Sequence, residues 1–139
     1  MELAESLASM ARAVAALRTA VARRFELTVQ QAELLCQVDH DSPSFGELAN
    51  RLGCDKTNVT GMVDRLVQRG LLIRQPDPVD RRVTRAVLTE DGIELGAKIR
   101  ATFSAEVERR CPNLSPADRA HLARLTHGIA ATLADGETP

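Results

Sequence analysis

The chain has 139 residues, the length of one ordinary domain, and its 44% hydrophobic and 27% charged residues exclude wholesale disorder. It contains no Trp, no Tyr and three Phe, which excludes nucleic-acid-binding folds that stack bases on exposed aromatic side chains. The net charge is −1, but residues 51–85 hold eight cations against four anions, so a site for a polyanion would lie in this basic segment.

Start and stop signals for helices recur along the chain and predict six helices. Capping residues mark the starts, and the candidates are Thr28, Ser44, Asp55, Thr89 and Ser115. Glycine and proline residues mark the ends. The predicted helices are Leu3–Phe25, Val29–Asp39, Phe45–Leu52, Lys56–Arg69, Glu90–Arg110 and Pro116–Leu133.

Two short β-prone runs interrupt the helices, at Leu71–Gln75 and Val83–Leu88. The connection between them, Pro76-Asp-Pro-Val-Asp-Arg-Arg82, is rich in turn-forming Pro and Asp. The sequence therefore predicts a β-hairpin with a basic tip.

The first predicted helix carries apolar residues alternately four and three positions apart, a spacing typical of helices that pack lengthwise on each other. They are Leu3, Leu7, Met10, Val14, Leu17 and Val21. The last two helices carry similar stripes at Leu95, Ile99, Phe103 and Val107, and at Leu122, Leu125, Ile129 and Leu133. These stripes could pack together within one subunit, but long terminal helices in a chain of this size favour packing between two subunits. We therefore expect a homodimer.

The segment Phe45–Arg69 has the pattern of a helix-turn-helix. Ala49 is small enough for two helices to cross closely, and Gly53 supplies the positive φ of a short turn. The second helix then has an apolar stripe of Val59, Met62, Val63 and Leu66. Helix pairs joined by a glycine turn also occur in plain bundles, so this pattern alone does not establish a DNA-binding motif.

The apolar stripe directs the opposite side of the second helix outward. This outer face consists of Thr57, Gly61, Asp64 and Gln68, flanked by Asn58 and Arg65. A glycine inside a helix costs about 1 kcal/mol relative to alanine. Gly61 on an exposed face therefore indicates that something large approaches the backbone, as the floor of a DNA major groove would, although a tolerated surface glycine is the alternative.

The residues around Gly61 suit DNA. Thr57, Asn58 and Thr60 are short donors and acceptors for base edges, while Lys56 and Arg65 are placed for phosphates. The carboxylate of Asp64 on this face would repel DNA phosphates unless a cation neutralises it. We therefore predict that Arg82 of the hairpin pairs with Asp64 while Arg81 reaches the minor groove; the alternative is a solvated charged turn.

Residues 28–89 resemble the winged-helix core of the MarR family of bacterial transcriptional regulators. The resemblance is carried by the run from Asp55 to Gly70 (DKTNVTGMVDRLVQRG), by Arg74 and Pro78, by Asp80-Arg-Arg82, and by Val87-Leu-Thr89-x-x-Gly92. It implies a mainly α fold with a β-hairpin wing, in one domain spanning 1–139, with dimerisation helices at about 3–25 and 90–133. It also implies a cytoplasmic homodimer that binds near-palindromic operators, often as a repressor released by small aromatic ligands.

The resemblance and the helix pattern together give the expected DNA-binding and ligand-binding positions. The DNA-binding residues predicted from the helix, the wing and the family pattern are Lys56, Thr57, Asn58, Thr60, Gly61, Arg65, Gln68, Arg81 and Arg82. The ligand pocket of such proteins lies between the dimer base and the DNA-binding lobe. Its polar anchors here would be Arg12, Arg18 or His40.

Several other functions are disfavoured or left open. Acidic Glu2 and Glu5 replace the basic start of a secretory signal, no apolar run near the start can cross a membrane, and three cysteines with no close pair favour a reducing compartment. The histidines lack metal-ligand spacing, and no nucleophile–base pair is visible, so we expect no metal, no cofactor and no enzyme activity. The alternatives that remain are a winged helix for protein contacts and a redox response through Cys54 or Cys111.

Overall fold

The computed structural model describes residues 1–38 and 41–135, which form six helices and a two-stranded antiparallel sheet. The helices are α1 (Leu3–Arg24), α2 (Val29–Gln37), α3 (Phe45–Leu52), α4 (Lys56–Gln68), α5 (Glu90–Arg110) and α6 (Pro116–Ala134). The strands are β1 (Leu72–Pro76) and β2 (Thr84–Leu88), paired in a register that joins Leu72 to Leu88. The predicted mainly helical fold with one hairpin is confirmed. The predicted end of α2, Asp39, lies outside the described residues.

The helices begin where the capping signals predict. The Thr28 hydroxyl accepts a hydrogen bond from the Gln31 amide at 3.1 Å, and the Gln31 side chain accepts one from the Thr28 amide at 3.1 Å. Ser44 and Glu47 form the same reciprocal pair at the start of α3. Each pair satisfies two backbone amides that have no partner inside the helix, which fixes the starts of both helices.

The hydrophobic core lies where α2, α3 and α4 meet. Leu34, Leu48, Val59, Val63 and Leu66 are all completely buried. Removing these side chains from water is the main stabilising contribution to the helix-turn-helix, at about 1.5–3 kcal/mol for each large aliphatic residue.

The hairpin and α5 are joined by a close backbone contact at Gly92. A Cβ atom at this position would overlap the carbonyl oxygen of Leu71, so no other residue fits without a backbone shift. Thr89 secures the same junction, since its hydroxyl donates to the Gly70 carbonyl at 2.6 Å and accepts from the Gly92 amide at 3.0 Å. These contacts give a structural reason for the Leu-Thr-x-x-Gly pattern.

The chain divides into two compact units, Met1–Ala105 and Glu106–Pro139, and the boundary falls inside α5. In the second unit, α6 buries none of its residues. Leu122, Leu125 and Leu133 of its apolar stripe are 44%, 50% and 69% exposed. No helix within the described residues has both the length and the apolar character required to span a lipid bilayer.

Candidate DNA interface

Helix α4 is anchored through one side and through its N-terminal end. Its inner side carries the buried residues Val59, Val63 and Leu66. The Asp55 carboxylate caps its start by accepting a hydrogen bond from the Asn58 amide at 2.8 Å. Gly53 ends α3 in the left-handed conformation at φ 65°, which allows the short turn into α4. The apolar pattern therefore fixes which side of α4 is directed outward.

The outer face of α4 is open. Thr57, Asn58, Thr60, Gly61 and Gln68 are exposed. A Cβ atom added at Gly61 would have no neighbour within 4 Å, so nothing in the described chain covers the helix backbone there. The predicted orientation of α4 is confirmed. The Thr60 hydroxyl donates to the Lys56 carbonyl at 3.0 Å, which leaves its lone pairs free to accept.

The eight cations of segment 51–85 fall into two groups. Five of them contact acidic side chains or backbone carbonyls of the protein: Arg51, Arg69, Arg74, Arg82 and Arg85. The side chains of Lys56, Arg65 and Arg81 make no hydrogen bond or ion pair with any residue in 1–38 or 41–135, and all three are exposed. Two of the three lie on α4 and one lies at the hairpin tip.

The predicted ion pair between Asp64 and Arg82 is wrong. Asp64 pairs instead with Arg74 of β1, and Arg82 makes a two-pronged contact with Asp80, at 3.0 Å from Nε and 3.2 Å from Nη2. The reason is geometric, because β1 packs against α4 and brings Arg74 alongside it, whereas Arg82 reaches a carboxylate two residues away in its own turn. The expectation that a hairpin cation neutralises Asp64 is confirmed, with a different arginine.

A buried carboxylate that the sequence analysis did not single out organises the hairpin. Asp77 is only 8% exposed and accepts hydrogen bonds from the amides of Val79 and Asp80 at 2.8 and 2.9 Å, and from Arg85 Nε at 2.5 Å. The Asp80 amide and the Arg85 guanidinium lower the pKa of Asp77 to about 2. The turn-forming Asp-Pro pair was the available signal, but it does not identify the arginine partner.

A cavity of about 330 Å³ lies among α1, α2 and α5 within the first unit. Its apolar lining is Val14, Val21, Val29, Ala32, Ile99 and Phe103, and its polar lining is Arg18, Glu33, Cys36 and Arg100. Of the predicted ligand anchors, Arg18 lines the cavity, 3.4 Å from Glu33, while Arg12 is not among the lining residues. His40 lies outside the described residues.

Sequence reasoning missed Arg100 and Cys36 as cavity residues. Cys36 was interpreted as a core residue, and it does pack half-buried against the core while lining the cavity. Burial raises the pKa of its thiol, although the nearby Arg100 guanidinium acts in the opposite direction. Among the residues that the structure describes, no cluster of His, Cys, Asp or Glu could hold a metal ion.

Comparison with known proteins assigns the chain to a family. The profile of the MarR family matches residues 27–84. The HTH-type transcriptional regulator YhbI of Bacillus subtilis, described as uncharacterized, is 32% identical over 114 residues, which cover 81% of this chain and 73% of that protein. This chain belongs to the MarR family. A further relative, the HTH-type transcriptional regulator MhqR of Bacillus subtilis, is 45% identical over 58 residues, but this match spans only 40% of MhqR.

Solved structures of MarR proteins share the fold. Wild-type MarR from E. coli superposes with a TM-score of 0.81 at 23% identity, covering 93% of this chain and 96% of that one. CouR from Rhodococcus jostii RHA1, solved with p-coumaroyl-CoA bound, superposes with a TM-score of 0.82 at 21% identity, covering 99% of this chain and 95% of that one. The winged helix-turn-helix predicted from the sequence is confirmed by these matches.

Proposed function

We propose that this MarR-family protein is a homodimeric transcriptional regulator that binds a near-palindromic operator. In this proposal α4 lies in the major groove and the hairpin tip reaches the adjacent minor groove. The observation that carries the proposal is the open backbone at Gly61, on a helix whose opposite side is completely buried. A B-DNA major groove is about 12 Å wide and admits one α-helix, most closely where a glycine removes the side chain.

The unpartnered cations support the same placement. Arg65 lies one turn from Gly61 on α4, Lys56 is the exposed first residue of α4, and Arg81 lies at the hairpin tip. Exposed cations without protein partners can bind phosphates without breaking an existing contact, and phosphate contacts supply much of the affinity for DNA. Thr57, Asn58, Thr60 and Gln68 are then the candidates for reading base edges.

The dimer is supported by the exposed stripes on the terminal helices. Met10 and Val14 of α1 are about two-fifths exposed, and Leu122 and Leu125 of α6 are about half exposed. Regularly spaced leucines left in water favour burial against a second copy, in which the same surface of each chain is used. Two copies would present two α4 helices to successive major grooves about 10 bp apart.

We also infer that the protein represses transcription and is released by a small ligand in the cavity among α1, α2 and α5. The volume of about 330 Å³ is within the range of small-molecule sites. Arg100 has no carboxylate partner among the described residues, so it can receive the anionic group of a ligand whose apolar part contacts the aliphatic walls. The p-coumaroyl-CoA bound in the CouR structure supports the binding of a small ligand by a protein of this fold.

The test is a titration of duplex DNA selected by the wild-type protein from a random 30-bp library. We expect specific binding that weakens steeply with salt. We expect Arg65→Ala and Arg81→Ala each to reduce the slope of log affinity against log salt by about 2, because a dimer loses two phosphate contacts. Arg23→Ala is the matched control, because Arg23 is an exposed arginine on α1. Unchanged binding in both variants, or indifference of the wild type to duplexes at low salt, would reject the proposal in favour of a protein-interaction module.

A further inference from the structure

Helix α2 is flanked by two residues in an unusual backbone conformation. Glu26, just before α2, has φ 57°, and Ser42, between α2 and α3, has φ 51°. Within the described residues, these are the two non-glycine residues with positive φ. Residues other than glycine and asparagine rarely adopt this conformation, and they keep it where surrounding contacts hold them.

An arginine from the DNA-binding elements holds each of these residues. Arg69, the C-cap of α4, donates to the Glu26 carbonyl at 2.8 Å and to the Phe25 carbonyl at 3.2 Å. Arg85 of β2 donates to the Ser42 carbonyl at 3.0 Å while its Nε contacts Asp77. The segment before α2 is therefore tied to α4, and a residue that follows α2 is tied to the hairpin.

The same helix forms a wall of the cavity. Ala32, Glu33 and Cys36 of α2 line it together with residues of α1 and α5. A shift of α2 that also displaced its flanking residues Glu26 and Ser42 would move both carbonyls, and with them the two guanidinium groups. Besides the packing of α2 on α4 in the core, these two arginines are hydrogen-bonded links between the segments that flank α2 and the two elements that carry the candidate DNA contacts.

We propose that Arg69 and Arg85 are positioning residues for DNA binding, which couple the position of α2 to α4 and to the hairpin without touching DNA themselves. The inference rests on the proposed function. By thermodynamic linkage the coupling acts in both directions, so DNA held by α4 and the hairpin restricts α2, and a change at the cavity wall alters DNA affinity.

Substitution by lysine separates positioning from charge. Lysine keeps the positive charge, but its single ammonium group cannot reproduce the two-pronged contacts of a guanidinium. We expect Arg69→Lys and Arg85→Lys each to weaken binding of the selected duplex about tenfold with the salt slope unchanged, because no phosphate contact is lost. Arg23→Lys is the matched control, since the Arg23 side chain makes no hydrogen bond or ion pair within the described residues.

Alkylation of Cys36 reports on α2 directly. Iodoacetamide is added with and without saturating duplex, and modification of Cys36 is quantified by peptide mass spectrometry. Cys111, a half-buried cysteine of the second unit, serves as an internal reference. In the wild type we expect DNA to slow alkylation of Cys36 about fivefold, the lower end of typical coupling between sites, and to leave Cys111 unchanged. In the double variant Arg69→Lys/Arg85→Lys we expect the DNA effect at Cys36 to fall below about twofold.

The outcomes separate this inference from the proposed function. A wild type that binds no duplex would reject the proposed function, and this inference with it. A wild type that binds the selected duplex with no change at Cys36, or lysine variants that keep the full DNA effect, would overturn this inference alone. The single variants, whose folding is checked by thermal melting, give the same decision if the double variant does not fold.

Discussion

Helices α4 and α6 differ in which side is exposed. In α4 the apolar side is completely buried by the chain itself, and the exposed side carries short polar residues and a bare glycine. In α6 the apolar stripe is exposed, and no residue of the helix is buried. An exposed apolar stripe indicates a protein partner, whereas an exposed glycine between polar residues indicates close approach to a polar partner. This difference supports the proposed second subunit at α6 and the proposed DNA contact at α4.

The largest effect is expected from added bulk on the exposed side of α4. Gly61→Leu would hold the helix out of the groove and leave nonspecific binding, so we expect a loss of about 1,000-fold in affinity for the selected duplex. Fluorescence anisotropy measures this loss. The melting temperature should stay the same or rise, because glycine disfavours a helix interior by about 1 kcal/mol.

Gly61→Ala is the graded control, with a smaller loss of affinity and a similar gain in stability. Equal affinities for the wild type and the leucine variant would show that α4 does not enter the groove.

Charged substitutions in the apolar stripe of α6 test whether this stripe forms the proposed dimer interface. Each leucine buried at a symmetric interface contributes about 1.5–3 kcal/mol and is present twice. We therefore expect the wild type to sediment as a dimer and the double variant Leu122→Asp/Leu125→Asp to sediment as a monomer at the same concentration. The control is Val79→Asp, because Val79 is a 94% exposed apolar residue at the hairpin. A variant that remained dimeric with both aspartates would place the interface elsewhere.

We expect a smaller effect from breaking the ion pair between Asp64 and Arg74. Both side chains are nearly half exposed, so solvent screens the pair and its coupling energy should be about 0.2–1 kcal/mol. A double-mutant cycle on the free energy of unfolding should show this coupling for Asp64→Ala with Arg74→Ala. The same cycle with Arg82→Ala should show none, since Arg82 contacts Asp80. Coupling of Asp64 to Arg82 and not to Arg74 would instead support the ion pair predicted from the sequence.

The pH dependence of the free energy of unfolding should reveal the contribution of the Asp77 carboxylate. Its pKa is lowered to about 2 in the folded chain from 3.8, so its contribution is fully present above about pH 4 and is lost as the pH falls toward 2. The stability difference between the wild type and Asp77→Asn, measured by urea unfolding, should be constant from pH 7 to 5 and shrink below pH 4. Asp80→Asn is the control, and its difference should be smaller because Asp80 is more exposed. A difference that did not shrink in acid would show that the Asp77 charge does not stabilise the fold.

Most of the fold was predictable because its signals are local. Capping residues such as Ser44 and Ser115 act within one turn of a helix, and the stripe of Val59, Val63 and Leu66 follows from helical periodicity. The exposure of Gly61 followed from the same stripe. These features depend on residues three or four positions apart, which a sequence displays directly.

The features that the sequence did not predict depend on contacts between distant segments. The partner of Asp64 is set by how β1 packs on α4. The cavity residues Cys36 and Arg100 are 64 positions apart in the sequence. The left-handed Glu26 and Ser42 have no sequence signature, because they are held by arginines 43 residues away. Only the folded chain brings these groups together.

The most direct test of the proposed DNA contact is methylation protection of the selected duplex by dimethyl sulfate, which modifies guanine N7 in the major groove. We expect two groups of protected guanines, centred about 10 bp apart. Their protection should be lost with Gly61→Leu while the variant stays folded. Bound wild-type protein that left guanine N7 fully reactive, or protection that persisted with leucine at position 61, would contradict the proposed DNA contact.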